Sequence, residues 1–518
     1  MKIYSFSPFG YEGSLVSVEV DIRRGIPAID IVGLADGAVK ESRERMKSAI
    51  RNSGFDFPQE RVLISLSPAD LKKEGAGFDL SVALGVLCAS GQDSFDMEDL
   101  GLQKVLVLGE LELSGVLRPV RAVHAAASSA KAAGIDCCLV PKANANEARE
   151  VRGMKVFGAS NLREAFEALF YEKRFSSAPD TVGLDSVPQG SVRVGEVIFP
   201  PVYEGCGFEE LSGQKDLVRA CSIAAAGGHN LLAFGPPGCG KTLVLQRFPS
   251  LLPLLTLEEA QSVTRIHSIA GLMSPGQGLV RISPFRQPHM SASVEGMCGG
   301  GNQCRPGEIS LAHNGVLFLD EAAEFKGSVL QMLRVPLESQ KISLSRAGRT
   351  AVYPANFQLL MAANPCPCGN YGSEKKICLC SARSIELYWK KFSAPLLDRI
   401  DLRVKVDIPD QDEEPAAASW STEDLRRPIA RAIQAQRDRG IYRNSCLKPE
   451  EMPRYCHLER GAQDFLAAAA ERYDFSPRAL ASCKKIARTI ADMEGSENIT
   501  EEHMAEAVDL RKVSGVLD

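Results

Sequence analysis

Residues 235–242 read GPPGCGKT, a complete G-x-x-x-x-G-K-[ST] string. Gly235, Pro236, Pro237, Gly238, Cys239 and Gly240 suit a loop whose backbone N–H groups wrap phosphates, with Leu243 completing the set one residue beyond the motif. Lys241 is the cation expected to reach the β- and γ-phosphates of ATP, and Thr242 the hydroxyl expected on Mg²⁺. Downstream, GVLFLDEAAEF ends an apolar run in two adjacent carboxylates. Buried carboxylates are costly, so an acidic pair closing a buried strand points to chemistry. Asp320 is the candidate for holding Mg²⁺ through water, and Glu321 for the general base that polarises the attacking water. Glu324 reads as a solvated residue at a helix start.

Further polar residues recur where such a site needs them. Asn364, closing the third apolar run in MAANP, could fix the lytic water. Arg399 in LLDRIDL and Arg478 in SPRAL are each unremarkable alone, since a single arginine is usually a solvated charge. In this order they match a motor ATPase, with Arg399 as a finger into a neighbour's site and Arg478 as a lid sensor. NPCPCGNYGSEKKICLC holds Cys366, Cys368, Cys378 and Cys380, four thiols in one short loop. They suit a structural Zn²⁺ that pins a loop without a core of its own; free thiols are the alternative, because C-x-C is tighter than the usual C-x₂-C.

The elements that must position these residues follow from pattern. Apolar runs 230–234, 315–319 and 357–362 predict the strands of a nucleotide-binding core, preceded by a helix over 216–225. Ahead of it, alternating runs at 15–20, 29–32, 62–66 and 105–108, with helix-like stretches such as 80–89, predict a separate α/β unit. A Ser-, Pro- and Gly-rich stretch from about residue 176 to 202 reads as a linker. Ala-rich periodic stretches at 459–471, 477–493 and 501–511 predict a helical tail.

The 518-residue length fits about three domains. With 60 basic and 65 acidic residues the net charge is −5, which excludes a polybasic nucleic-acid binder but not a motor with a local basic pore. No apolar run nears the ~18 residues of a membrane span. The N-terminus lacks the apolar stretch of a secretory signal, so a cytoplasmic enzyme is expected. The 15 cysteines are odd in number and scattered, unlike a disulfide scaffold.

GPPGCGKT, FRQPHMS, RPGEISLAHNGVLFLDEAAEF, AANPCPCG and LLDRID, in that order, resemble the magnesium-chelatase-like AAA+ family of ComM/YifB type. Met290 departs from the family's usual second His, and Ala322-Ala323 from Leu-Pro. The resemblance implies an α/β chain: an N-terminal Lon-like domain over 1–172, a linker over 173–204, a parallel-sheet α/β/α AAA+ core over 205–410, and an all-α lid over 411–518. It also implies a hexameric ring acting on branched or single-stranded DNA, as a helicase for branch migration in recombination and natural transformation. QKISLSRAGRTAVYPANF is similar to the hairpin that such rings point into their pore. Lys341, Arg346 and Arg349 would there touch DNA phosphates, although a solvated hairpin reads the same way. The first segment resembles the Lon protease fold, but KKEGAGFDL lacks the nucleophilic Ser and His124 stands where the Lys would be. Proteolysis is therefore not expected, and a metal-inserting chelatase subunit is the other ATPase reading.

Overall fold

The computed structural model describes residues 2–33, 37–69, 73, 76–91, 104–170, 176–177, 187–211, 213–301, 303–346, 349–372, 376–407 and 420–512. The 410/411 boundary, much of the expected linker, part of KKEGAGFDL, the Ala347-Gly348 turn and the Arg349 side chain lie outside the described residues.

The first unit is a mixed sheet of eight strands flanked by helices. Lys2–Ser7 lies at its middle, antiparallel to Ser14–Arg23 and parallel to Lys104–Val107. Alternating side chains bury both faces, as period 2 requires. Val105, Val107 and Leu139 join the core on one side, while Leu106, Cys138 and Val140 pack on the other beside the helix Val123–Ala132.

The second sheet has five strands, adding two to the three read from the sequence. In spatial order they are Phe285–Arg286, Val316–Leu319, Gln358–Ala363, Leu231–Phe234 and Leu402–Lys405, all parallel. The edge strand Phe285–Arg286 is too short for an apolar run, and Leu402–Lys405 alternates with charge, so neither stands out in the sequence. The three central strands are buried on both faces, which is why they read as unbroken apolar runs. Leu231, Ala233, Phe318 and Leu360 face the helix Lys215–Gly227, and Leu232, Phe234, Leu317 and Leu359 face Val329, Leu330 and Trp389.

One expectation needs correction. Within the stretch read as linker, Val192–Val194 and Val197–Phe199 pair as a hairpin, and Val197 and Phe199 are fully buried in the core of the second unit. Short strands rich in Gly and Pro turns leave no period to detect. The expected C-terminal helices form, over Thr422–Asp438, Arg460–Arg472, Pro477–Glu494 and Glu501–Arg511. Their apolar faces (Ile433, Leu466, Ile486, Ile490, Val508) share one core with the Lys215–Gly227 helix behind the sheet.

The two units pack against each other. Helix Leu257–Ala270 lies on Val123–Ala132, and the Ala122 N–H donates to Ser268 O at 3.2 Å. The Arg265 guanidinium lies 4.6 Å from the Tyr11 ring centre and reaches the Glu12 carboxylate at 3.0 Å. Tyr11 meets Tyr353 edge-on at 6.3 Å. At Gly10, with φ +59°, a Cβ would stand 2.5 Å from that of Ala351, so no larger residue fits between the units.

Candidate active site

The phosphate loop follows the strand Leu231–Phe234 and opens the helix Lys241–Gln246. Gly238 and Gly240 take φ of +83° and +86°, the left-handed region that glycine enters without steric cost. The ammonium of Lys241 lies 2.7 Å from Gly235 O and 2.9 Å from Pro236 O, buried against its own loop. Gln214 Nε2 donates to Cys239 O at 2.6 Å and steadies the loop from outside; nothing in the sequence marks this residue.

Parallel order brings the acidic pair and Asn364 to the same end of the sheet. The Thr242 hydroxyl donates to Asp320 Oδ1 at 3.0 Å, joining the two candidate Mg²⁺ ligands. A hydroxyl and a carboxylate beside a phosphate loop are the hard oxygen donors that Mg²⁺ accepts, so the residues fit Mg²⁺–ATP. Glu321 has φ +47°, an uncommon left-handed turn for a residue with a Cβ, and its side chain is exposed toward the cleft rather than packed below the strand. Lys241, Thr242, Leu243, Asp320, Glu321 and Asn364 line one cleft of about 340 Å³, together with Pro237, Gly238 and Gly240.

The two arginines are elsewhere. Leu402 pairs with Leu231, so Arg399 precedes the start of its strand, at the opposite end of the sheet from the phosphate loop. Asn230 Nδ2 donates to Arg399 O at 3.0 Å and fixes that position. The Arg399 guanidinium donates to Glu338 at 2.6 Å and to Pro395 O at 2.6 Å. The bond to Arg399 holds the Glu338 carboxyl below the usual range. Arg478 lies 3.9 Å from Asp398 and lines the same 800 Å³ cavity as Arg399. Arg478, expected from the sequence as a lid sensor, is set beside Arg399 at the start of a C-terminal helix packed behind the sheet.

Lys341–Arg346 and Arg349–Pro354 form the expected hairpin, with Arg346 paired to Arg349 at its tip. Ile342, Ala351 and Tyr353 on one face are buried, whereas Lys341 is exposed on the other face, at the root opposite Pro354. Lys341 and Arg346 therefore stand at opposite ends of their strand. The root is tied to the hydrolysis elements: Ala355 N–H donates to Gln340 O at 2.8 Å, and Asn356 N–H to His313 Nδ1 at 3.1 Å, just before the acidic strand.

The four thiols converge. Cys366 Sγ is 3.4 Å from Cys368 and 3.7 Å from Cys378, Cys368 and Cys378 are 3.6 Å apart, and all four sulfurs lie within 4.8 Å of one another. Tetrahedral Zn²⁺ with bonds of ~2.3 Å puts sulfurs about 3.8 Å apart, and disulfides would be far shorter, so the donor set fits zinc. Gly369, with φ +78°, packs so close to the phosphate loop that a Cβ would stand 2.6 Å from Pro237 Cδ. The cysteine loop thus packs against the phosphate loop, directly after Asn364 of the cleft.

His124 is buried, with neither ring nitrogen hydrogen-bonded among the described residues. Burial and the nearby Arg265 charge push its pKa down to about 3, so it is a neutral, buried imidazole. Such a group cannot relay protons to a substrate.

Comparisons with known proteins agree with this geometry. The family described as "Magnesium chelatase, subunit ChlI" matches residues 207–414, "Subunit ChlI of Mg-chelatase" matches 18–144, and "Magnesium chelatase, subunit ChlI C-terminal" matches 419–511. Competence protein ComM of Haemophilus influenzae is 36% identical over 518 residues, spanning 99% of this chain and 98% of ComM. YifB of Escherichia coli, an uncharacterized protein, is 36% identical over 99% of this chain and 97% of its own length. A DNA replication licensing factor, Mcm6 of Anopheles gambiae, is 28% identical over 222 residues, 39% of this chain and 25% of Mcm6. With a phosphate loop, acid pair and five-stranded parallel sheet in place, and relatives aligned end to end, the chain belongs to the magnesium-chelatase-like AAA+ family of ComM/YifB type and is an ATPase of that family, using ATP and Mg²⁺.

Proposed function

We propose that this ATPase works as a hexameric ring that moves along DNA, promoting branch migration in homologous recombination of incoming DNA. The observation that carries the ring is the separation of Arg399 and Arg478 from the phosphate loop by the length of the sheet. Arginines that stabilise phosphoryl transfer must touch the transferring group, so a neighbouring copy supplies them. Lys241 would exchange its own loop carbonyls for the nucleotide's phosphates, Thr242 and Asp320 would hold Mg²⁺, and Glu321 would act as base on a water positioned with Asn364. Movement on DNA is supported by the hairpin at 341–354, whose root is bonded to the elements carrying Glu321 and Asn364. The names ComM and Mcm6, one linked to competence and one to DNA replication, support the same substrate. In this reading one Zn²⁺ sits on Cys366, Cys368, Cys378 and Cys380, and the first unit is a Lon-like domain without protease chemistry.

The test is ATP turnover with branched, single-stranded and duplex DNA, beside protein alone. Stimulation by branched or single-stranded DNA is expected; turnover indifferent to every DNA would overturn the reading. The description of the matched family favours magnesium chelatase as the second reading, and stimulation by a porphyrin with a partner subunit would select it.

A further inference from the structure

The cysteine loop has an edge that one chain leaves bare. Leu379 is 90% exposed, the highest value for a large hydrophobic among the described residues, and Ile377 is 84% exposed. They alternate with Cys378 and Cys380, whose sulfurs turn inward to the cluster, so inward thiols hold the apolar side chains outward. Leu387, on the helix Ala382–Lys390 that follows, is also exposed. Scattered exposed hydrophobics are ordinary, but neighbours projected from a constrained loop form a docking surface.

Its position says what covers it. Trp389 Nε1 donates to Pro365 O at 3.0 Å, and Gly369 packs on Pro237, so the loop is continuous with the wall of the nucleotide cleft. That cleft is incomplete in one chain, since Arg399 and Arg478 lie at the far end of the sheet. A second copy delivering Arg399 therefore arrives against this wall. The face it brings is partly apolar: Val335, 66% exposed, lies one helical turn from Glu338, the residue that holds Arg399. We propose that the Ile377–Leu379 edge is a docking surface for a second copy of this chain, seated on its Val335 face when Arg399 enters the cleft. The inference rests on the ring reading above and adds the surface by which neighbouring copies recognise a properly formed cysteine loop.

The paired substitution Ile377→Asp with Leu379→Asp tests it. Zinc content, binding of a non-hydrolysable ATP analogue, and assembly by mass photometry are measured on wild type and variant. Wild-type zinc content and analogue binding are expected, with the concentration for half-assembly raised at least about tenfold and turnover falling in step. Assembly at the wild-type concentration would overturn the proposal. So would an intact ring that loses only its DNA stimulation, which would give the edge to DNA. If the aspartates disturb the loop and release zinc, a second measurement decides. Benzoylphenylalanine at position 379, in a mixture of isotope-labelled and unlabelled copies, should cross-link labelled to unlabelled chains on illumination. Cross-links confined to single chains, in a sample that assembles, would overturn the proposal. Wild-type protein that never assembles with nucleotide would instead mark the failure of the ring reading itself.

Discussion

Glu321 and Lys241 share one cleft but should fail differently when changed. Glu321→Gln keeps size and hydrogen bonding while removing the base, so ATP and Mg²⁺ binding should persist while turnover falls about 10²–10⁴-fold. Lys241→Ala should weaken nucleotide binding itself, because the ammonium now buried against Gly235 and Pro236 is the cation expected to reach the phosphates. Equilibrium binding beside steady-state turnover separates the two. His124 carries a prediction of another kind. Its pKa of about 3 in the folded chain lies below the ~6.5 of an unfolded histidine. The unfolded chain thus takes up the proton first, and stability present above pH ~6.5 is lost progressively as pH falls toward 3. His124→Leu, which keeps volume without a site for the proton, should flatten that acid loss by up to a few kcal/mol. Urea unfolding of both proteins at pH 7 and pH 5 measures it, and equal acid loss would show that His124 is not its source.

Among the elements, the hairpin 341–354 has a dry face and a wet face, and its cations divide between root and tip. Replacing Lys341, Arg346 and Arg349 together by Ala should lower DNA affinity and reduce the salt slope, by roughly 0.7 for each single-strand phosphate that is no longer neutralised. Basal turnover and ring size should be unchanged. Arg346→Ala alone should account for more of the weakening than Lys341→Ala, since Lys341 sits at the root beside Tyr11 and Phe9. Salt-titrated DNA binding on the three variants checks this ranking. A triple variant that breaks the ring would instead show that these cations pair with a neighbouring copy. The acidic strand and the Asn364 strand bracket this hairpin in sequence and lie side by side in the sheet, with His313 and Asn356 joined by a hydrogen bond where the two strands begin.

For the whole molecule, an active site divided between copies predicts complementation. Arg399→Ala chains keep the base, and Glu321→Gln chains keep the finger. Each should be inactive alone, the former by about 10³–10⁵-fold if the finger acts as in related phosphoryl transfer. A mixture should recover turnover at interfaces that join an intact Glu321 to an intact Arg399. No recovery in rings shown to be mixed would refute action between copies. The N-terminal unit belongs to this picture through its packing: Tyr11, Arg265 and Glu12 bind it to the hairpin base and to the helix 257–270.

Much of the site is legible locally. A phosphate loop is a backbone conformation encoded by glycines over eight residues, and an apolar run ending in Asp320-Glu321 announces a buried strand with its carboxylates at the rim. Strands buried on both faces, such as Leu231–Phe234 and Val316–Leu319, read clearly because nothing polar interrupts them. The hairpin also follows from alternation around a turn. Where Arg478 lies does not follow, because a helix packs according to its whole apolar face, and that face meets the helix Lys215–Gly227 from far along the chain. The sequence determined the local chemistry of nucleotide binding; the tertiary structure decided which residues share a site. Side-chain type and short spacing travel with the chain, but the distance between Arg399 and Lys241 is set by the order and direction of five strands.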